Sequence, residues 1–524
     1  MAFEPNQNSV QYGPWAQGVR YDLPPEDITA NGLSAMEGTR LTAAASVEAS
    51  LGTKSYKAEG AIAATPTVTV CGDFQIPGGA SKVFLAAGNK FFEYSSGWVD
   101  RSGSETLTAG NDNTWEWAKA YNNLVLTNGV DTNAIKWSGT GNASTLDDNA
   151  RFTKGKHIAF WDNRLWIGNE NSNNDRVWRS DAGDIETWQS TAFYNLGSPV
   201  TALVPMQNAL AIHTEDFISV LIPTGNATVP YQLQQRTNAD PLNPQRGGTI
   251  SARAVVSVPG MGQIYPLDDG FWLWNGGDLV SKVSHALDIG YWDNIVTSRL
   301  FQSFGVYYAA QNEVWFWLPY GNDQVNMNHI MIMSTKHRYQ DAATGDVRNA
   351  WMGPQTGNTA IFERNCAAII ANVPHAGDFG GTLLDHRPDN VFNQETLAYV
   401  KTFTTASPPP AGGDTELCWL SHRTYYDALG GYELSVVQES EGMGTNTTTF
   451  STTGGGAALG AFVLNTNTLG SKRMVSKGGE LIGYDPSSTL QFTNNNANEN
   501  FRIRRTHLHF EVTGQPQKAS AGEL

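Results

Sequence analysis

Cysteine is nearly absent from this sequence. Its 3 cysteines, Cys71, Cys366 and Cys418, are widely spaced and odd in number. That argues against a disulfide framework and a cysteine-based zinc site, and leaves three buried or idle thiols as the expectation. Charge is thin as well: Asp, Glu, Lys and Arg make up 16% of the chain, with 50 acids against 34 bases and a formal net charge of −16. For the chain as a whole, that balance excludes a basic surface that grips phosphate regardless of sequence. Apolar runs are short, and none approaches the roughly 20 residues of a membrane-spanning helix. The stretch from Met1 to Gly13 has neither a basic start nor an apolar core, so no secretory signal is expected there. The chain is expected to be made in the cytoplasm and to stay soluble until it is assembled into something larger.

What the sequence has in plenty is glycine (53) and tryptophan (16), together with Asn and Thr. Such a mixture favours strands and tight turns over helices. From residue 83 onward a short apolar strand repeatedly meets a Gly/Asn/Asp turn and a second strand. In 83–94 the turn is Gly88-Asn89, which supplies the positive φ of a hairpin. The unit recurs as 124–129 with 134–137, 164–168 with 176–179, 209–212 with 217–221, 263–267 with 271–274, and 306–308 with 314–317. A last pair, 367–370 with 383–385, is joined through a longer glycine-bearing loop. One apolar marker per unit (Phe84, Leu124, Leu165, Leu210, Ile264, Val314, Ile369) returns every 40 to 55 residues or so, about the length of a four-stranded propeller blade. Blades closed into a ring leave only short, protected edges. A string of sandwich domains would need linkers at regular intervals, and none is visible between Lys82 and Asp389.

The spacing therefore predicts an all-β chain: a β-propeller of six or seven blades over 63–400, with almost no helix. Before it, 1–62 carries too many breakers and too few periodic apolar residues for a core of its own, and reads as an extended arm lying on the propeller or on a neighbouring subunit. After it, the Pro408-Pro409-Pro410 run with Gly412-Gly413 reads as a linker over 401–413. Residues 414–524 read as a small sandwich-like β-domain with strands near 432–437, 461–464, 489–492 and 501–512. In the last, Phe501 and Ile503 share one parity and Leu508, Phe510 and Val512 the other, which predicts a bulge between Arg504 and His507.

Several segments, in order, resemble the propeller-bearing tail nozzle proteins of short-tailed bacteriophages. The opening Trp15-Ala16-Gln17-Gly18-Val19-Arg20-Tyr21-Asp22-Leu23-Pro24-Pro25, with Ile28 and Asn31, looks like the arm before the first blade in that family. Phe84 to Gly88 with Tyr94, Gly97, Trp98 and Val99 is similar to its first-blade hairpin, and Trp115-Glu116-Trp117-Ala118 with Leu124 to Gly129 continues the likeness. The most specific run is Asn163-Arg164-Leu165-Trp166 followed by Val177-Trp178-Arg179-Ser180-Asp181-Ala182-Gly183-Asp184 and Trp188. Val200 to Pro205, Leu210 to Val220 and Ile264 to Gly276 follow in the same order. The chain is shorter than many nozzle proteins, and beyond Pro410 it matches only as a generic β-domain.

The resemblance implies a virion structural protein rather than an enzyme, with no cofactor: a homohexameric ring beneath the head-to-tail adaptor protein, bearing tail fibres or spikes. Genomic DNA would pass through without specific binding. Low friction for exiting DNA then favours a lumen in which Asp and Glu outnumber Lys and Arg, with Arg502, Arg504 and Arg505 turned towards protein partners. The alternative is a β-propeller glycan-binding or hydrolytic module.

Residues with chemical potential each have a plainer role as well. His507 and His509 fall on one face of a strand at a metal-ligand spacing, yet no third ligand is local, and surface or bulge histidines are expected. His213-Thr214-Glu215-Asp216 could hold a general base, but a polar turn is expected between Ile212 and Phe217. Asp268-Asp269-Gly270 reads as a hairpin turn before it reads as a carboxylate pair. Ser180-Asp181 lacks nucleophile-elbow glycines. The run Gly168-Asn169-Glu170-Asn171-Ser172-Asn173-Asn174-Asp175 offers oxygen ligands for a hard cation without the order of a known calcium loop, so a solvated hairpin loop is expected. Trp272, Trp274, Trp315 and Trp317 could stack on sugars, but their alternation with apolar residues predicts blade cores. No catalytic, cofactor-binding or metal-binding residue is assigned.

Overall fold

The computed structural model describes residues 8–513, apart from 77, 147–151, 238–246, 342–343, 357–361, 388–390, 395–396, 411–414, 416, 428, 430–431, 441–443, 453–473 and 483. Among the described residues the fold is almost entirely β, with no α-helix and only short 3₁₀ turns. No helix there is long and apolar enough to cross a membrane.

The centre of the chain is a succession of small antiparallel sheets. The first joins Val68–Gln75, Ser81–Ala87, Lys90–Tyr94 and Trp98–Asp100. The second runs from Glu116–Ala120 to Ser144–Thr145, the third from His157–Trp161 to Phe193–Asn195, the fourth from Val200–Pro205 to Tyr231–Gln235, and the fifth from Val256–Val258 to Val280–Lys282. Phe304–Tyr308, Glu313–Leu318, His329–Gln340 and Val347–Gln355 form the sixth unit. Two-residue turns with φ in the left-handed region set the tightest registers: Gly88 at +59° brings Ala87 opposite Lys90, and Asp162-Asn163 at +49° and +56° brings Trp161 opposite Arg164.

The seventh sheet corrects the expected loop between 370 and 383. A strand, Val373–Asp378, lies there and pairs with both Arg364–Ile370 and Leu383–Asp385. Its Pro374, His375 and Gly377 break any apolar alternation, and so it carries no strand signal in sequence. The fourth strand of this sheet comes from the far end of the chain: Lys54–Ser55 pairs with Leu383–Asp385.

Each sheet packs its face on the next. Phe74, Phe91 and Trp137 meet between the first and second sheets, the Phe91 and Trp137 rings 5.3 Å apart. Phe152 and Trp188 lie between the second and third, Trp166 and Tyr231 between the third and fourth, and Ile218, Tyr265 and Trp274 between the fourth and fifth. The first strand of the seventh sheet packs against the first strand of the first, where Cys71 and Cys366 bring their sulfurs within 3.7 Å. Burying each such aromatic contributes about 2–3 kcal/mol.

The sixth unit continues outward into a ten-stranded sheet. Val347–Gln355 is joined by Gly18–Val19 and then Gly32–Glu37 of the arm, in parallel, followed by Lys401–Thr405, Thr489–Asn494, Glu433–Ser440 and Gly444–Ser451. The parallel approach needs a glycine: at Gly18, with φ +69°, a Cβ would collide with the Trp351 carbonyl. A six-stranded sheet holds Met474–Glu480, Leu417–Asp427, Arg502–Val512, Val47–Ala49 and Thr39–Leu41, with Asn8–Tyr12 paired to Arg502–Val512.

The expected arm therefore lies extended on the body of the same chain. Lys401–Thr405, expected in a linker, is an alternately buried strand, because its Phe403 stacks on Phe492 at 4.8 Å and meets Trp15 edge-on at 5.4 Å. The strands beyond 414 build sheets shared with the arm instead of a sandwich of their own. The expected strand at 461–464 falls outside the described residues. A bulge is present at the amino-terminal edge of the expected stretch: Tyr425 pairs with Arg505 but Tyr426 with Ile503, so Arg504 itself is the extra residue.

Candidate functional site

The structure disperses the residues singled out from sequence. His213 is not in a turn: it belongs to the strand Leu210–Thr214 and is fully buried. Its Nε2 lies 2.7 Å from Gln263 Oε1, and its ring stands edge-on to Tyr265. Burial holds its pKa down to about 4. His507 and His509 are half-buried, and burial with the Arg423 cation pushes both below the usual histidine range, Arg505 adding to the shift at His507. Among the described residues no three His, Cys, Asp or Glu side chains gather to hold a metal.

Asp269 accepts a bond from the Trp272 indole at 2.8 Å within its turn. The Ser180 hydroxyl accepts the Leu165 amide at 3.0 Å, a strand-locking role. In the 168–175 loop, Glu170 is buried and takes Asn173 at 2.8 Å and Arg176 at 3.5 Å. Trp274, Trp315 and Trp317 are core residues, and Trp272 is half-buried.

Two features escaped the sequence reading. One is a web of ion pairs binding the arm to the body. Arg40 reaches Glu48 at 2.8 Å and Glu313 at 3.5 Å, and Arg387 also reaches Glu313, at 3.4 Å. Arg502 joins Glu48 at 2.6 Å to Asp427 at 3.2 Å, and Arg504 holds Asp427 at 2.6 Å. Arg502 and Arg504, expected to face other proteins, are thus engaged within the chain: Asp427 lies on the neighbouring carboxyl-terminal strand, and Glu48 comes within reach of Arg502 when the arm joins that sheet. Arg505 lies over the Tyr425 ring at 4.8 Å.

The other is a cavity of about 200 Å³ lined by the first strands of several sheets, with Cys71, Trp115, Glu116, Phe304, Cys366 and Arg253 among its walls. Arg253 sits on a short 3₁₀ turn, Ala252–Ala254, between the fourth and fifth sheets. It donates to the carbonyls of Asn365 at 2.7 Å and Gln302 at 2.6 Å, and its guanidinium lies 5.3 Å from the centre of the Phe304 ring. Burial pulls its pKa down to about 10, while Cys366, Glu116 and Cys71 act to raise it. Glu116 itself is bonded to His157 Nδ1 at 2.8 Å. In sequence Arg253 is one basic residue among small ones, with no periodicity to mark it.

No protein-family model matches the chain, and comparison with curated proteins finds no sequence relative. Among solved structures it is similar to BamB from Moraxella catarrhalis, with 11% identity over 66% of this chain and 92% of that one, at a TM-score of 0.38. The computationally designed Ika8 protein gives 13% identity over 64% of this chain and 99% of that one, at 0.36. PorZ, a surface component of the type-IX secretion system of Porphyromonas gingivalis, gives 12% identity over 75% of this chain and 46% of that one, at 0.35. Scores this far below 0.5 do not assign the chain to any of those folds.

Proposed function

We propose that the seven successive sheets form a closed β-propeller and that the chain is a structural ring component of a short-tailed phage tail, its nozzle, rather than an enzyme. The closure reading is supported by the seam between the last and first sheets, and by Lys54–Ser55, which gives the last sheet its fourth strand from the amino-terminal end. The structural role rests on the arm, which enters three sheets and is tied down by buried charge, a build suited to carrying load. In this reading six copies ring the exiting DNA beneath the head-to-tail adaptor. The duplex would run between subunits: if the sheets close into a propeller, the cavity where their first strands meet, lined by Trp115, Arg253 and Phe304 and only about 200 Å³, is too small for it. Electron microscopy of the chain mixed with its adaptor protein tests this: six-fold rings are expected, and a chain that stays monomeric overturns it. In such a ring, a lumen lined mainly by Lys and Arg would overturn the low-friction idea.

A second reading, a glycan-binding or hydrolytic propeller, is favoured by the cavity that brings Trp115, Trp117, Glu116 and Arg253 together. Saturable retention on a glycan array, lost on Trp117→Ala, would support it over the ring.

A further inference from the structure

The cavity at Arg253 presents a charge without its complement. Among the described residues no carboxylate lies within ion-pair distance of this guanidinium, whose bonds go to two main-chain carbonyls. Arg253 is half-buried, and a partly desolvated cation is stabilised when an anion or several strong acceptors face it. The nearest acid that acts on it, Glu116, spends its carboxylate on the His157 ring and, at 3.4 Å, on the Ile158 amide. A guanidinium carries five N–H donors in a planar fork, and two carbonyls use only two of them on a side chain that lines the cavity. At about 200 Å³ the space exceeds what one or two waters need. Its other walls are aromatic and aliphatic or thiol-bearing: Trp115, Trp117, Phe304, Ile158, Cys71 and Cys366.

We propose that this cavity is a binding site for a small oxyanion, a carboxylate or phosphate group held in the fork of Arg253 and packed against Trp115, Trp117 and Phe304. The oxyanion accepts guanidinium hydrogens that the carbonyls leave unused, and its charge complements the half-buried cation. Glu116, on the same wall, limits the site to small or singly charged groups by repulsion. The site goes beyond the proposed tail role and does not depend on it.

The test uses the full chain at constant ionic strength in chloride, titrated separately with acetate and with inorganic phosphate and followed by calorimetry and thermal unfolding. At least one anion is expected to bind saturably with one site per chain and to raise the melting temperature with its concentration. Acetate binding more tightly assigns a carboxylate ligand, and phosphate binding more tightly assigns a phosphate ligand. Arg253→Met is expected to weaken binding at least tenfold. Glu116→Gln, which keeps a hydrogen-bonding group beside His157 and removes the repulsion, is expected to tighten it several-fold and serves where the arginine variant does not fold. Absence of saturable binding by either anion overturns the proposal. So does equal binding by wild type and Arg253→Met, or by wild type and Glu116→Gln.

Discussion

The first five sheets and the sixth unit are made of the same strand-and-turn material and are assembled on opposite principles. Each of the first five is closed by neighbours in sequence: Glu116–Ala120 pairs with Asn123–Thr127, and that with Ile135–Trp137, through short connections. The sixth unit grows by recruiting strands from both ends of the chain, so Trp351 faces Gly18, and Leu33 faces Thr405. Its core is correspondingly the largest, running from Tyr12 and Trp15 through Trp351 and Phe403 to Phe510. Locally closed sheets cost little loop entropy and can form early, whereas the composite sheet waits for ends hundreds of residues apart. Sequence-local sheets therefore tolerate injury one at a time, and the composite region fails as a unit.

The sharpest way to break that contrast is Trp15→Ala. Trp15 is fully buried where arm, sixth unit and carboxyl-terminal strands meet. Its removal is expected to cost about 4 kcal/mol by urea denaturation. Trp98, half-buried on the outer strand of the first sheet, is expected to cost about 1 kcal/mol when changed to Ala. Equal losses at the two sites would remove the distinction between the regions.

Glu313→Ala comes next, because it strands Arg387 in the interior with both side chains nearly inaccessible, at 3% and 4% exposure. Leaving a buried cation unpaired is expected to cost about 3 kcal/mol. The double variant Glu313→Ala with Arg387→Met is expected to recover most of it, which a purely steric role for Glu313 would not allow.

These two regions also divide what the sequence reveals. Hairpins such as 83–94 and 263–274 are legible because turn chemistry and alternation lie within a dozen residues of each other. The recruitment of Gly18, Lys54 and Lys401 into distant sheets is not, since a two-residue strand has no period to read and its partner is chosen by packing. His213 shows a related blindness. Its neighbours Glu215 and Asp216 suggest a turn, and only its pairing with Ala202 and Ile218 reveals a strand position. Arg253 is legible only after the first strands of separate sheets converge.

A pH series sharpens the comparison from another side. His213 belongs to the locally closed sheets and His422 to the composite region, and burial holds each down to about 4. A histidine depressed from about 6.5 in the unfolded chain leaves the unfolded state binding more protons between those values. Its stabilisation is therefore full above pH 6.5 and is lost as pH falls towards 4. The loss at pH 4.5 is expected to be on the order of 2 kcal/mol, with His213→Gln and His422→Gln each flattening the slope of urea midpoint against pH. An unchanged slope in either variant would show that acid destabilisation enters elsewhere in that region.

The smallest effect expected has the opposite sign and falls on the turn that sequence reading missed. Ala371 and Asn372 join the seventh sheet's first two strands with φ of +49° and +66°, so that Ile370 faces Val373. This is the conformation of a two-residue hairpin turn, for which Asn-Gly or Gly-Gly is the usual chemistry. Asn tolerates it through its short polar side chain, whereas Ala has a Cβ crowded against the backbone and nothing to offset the strain. Ala371→Gly removes that crowding and also loosens the unfolded chain, and the two effects oppose each other. Relief of the left-handed strain is the larger, so a net gain of about 0.5 kcal/mol is expected in the urea midpoint at an unchanged m-value. The turn lies in the sheet that Lys54–Ser55 completes. If the seventh sheet unfolds with the locally closed group, the gain appears in full even in the Trp15→Ala background. A gain that vanishes there would mean that this sheet, although built from a local hairpin, stands or falls with the composite region.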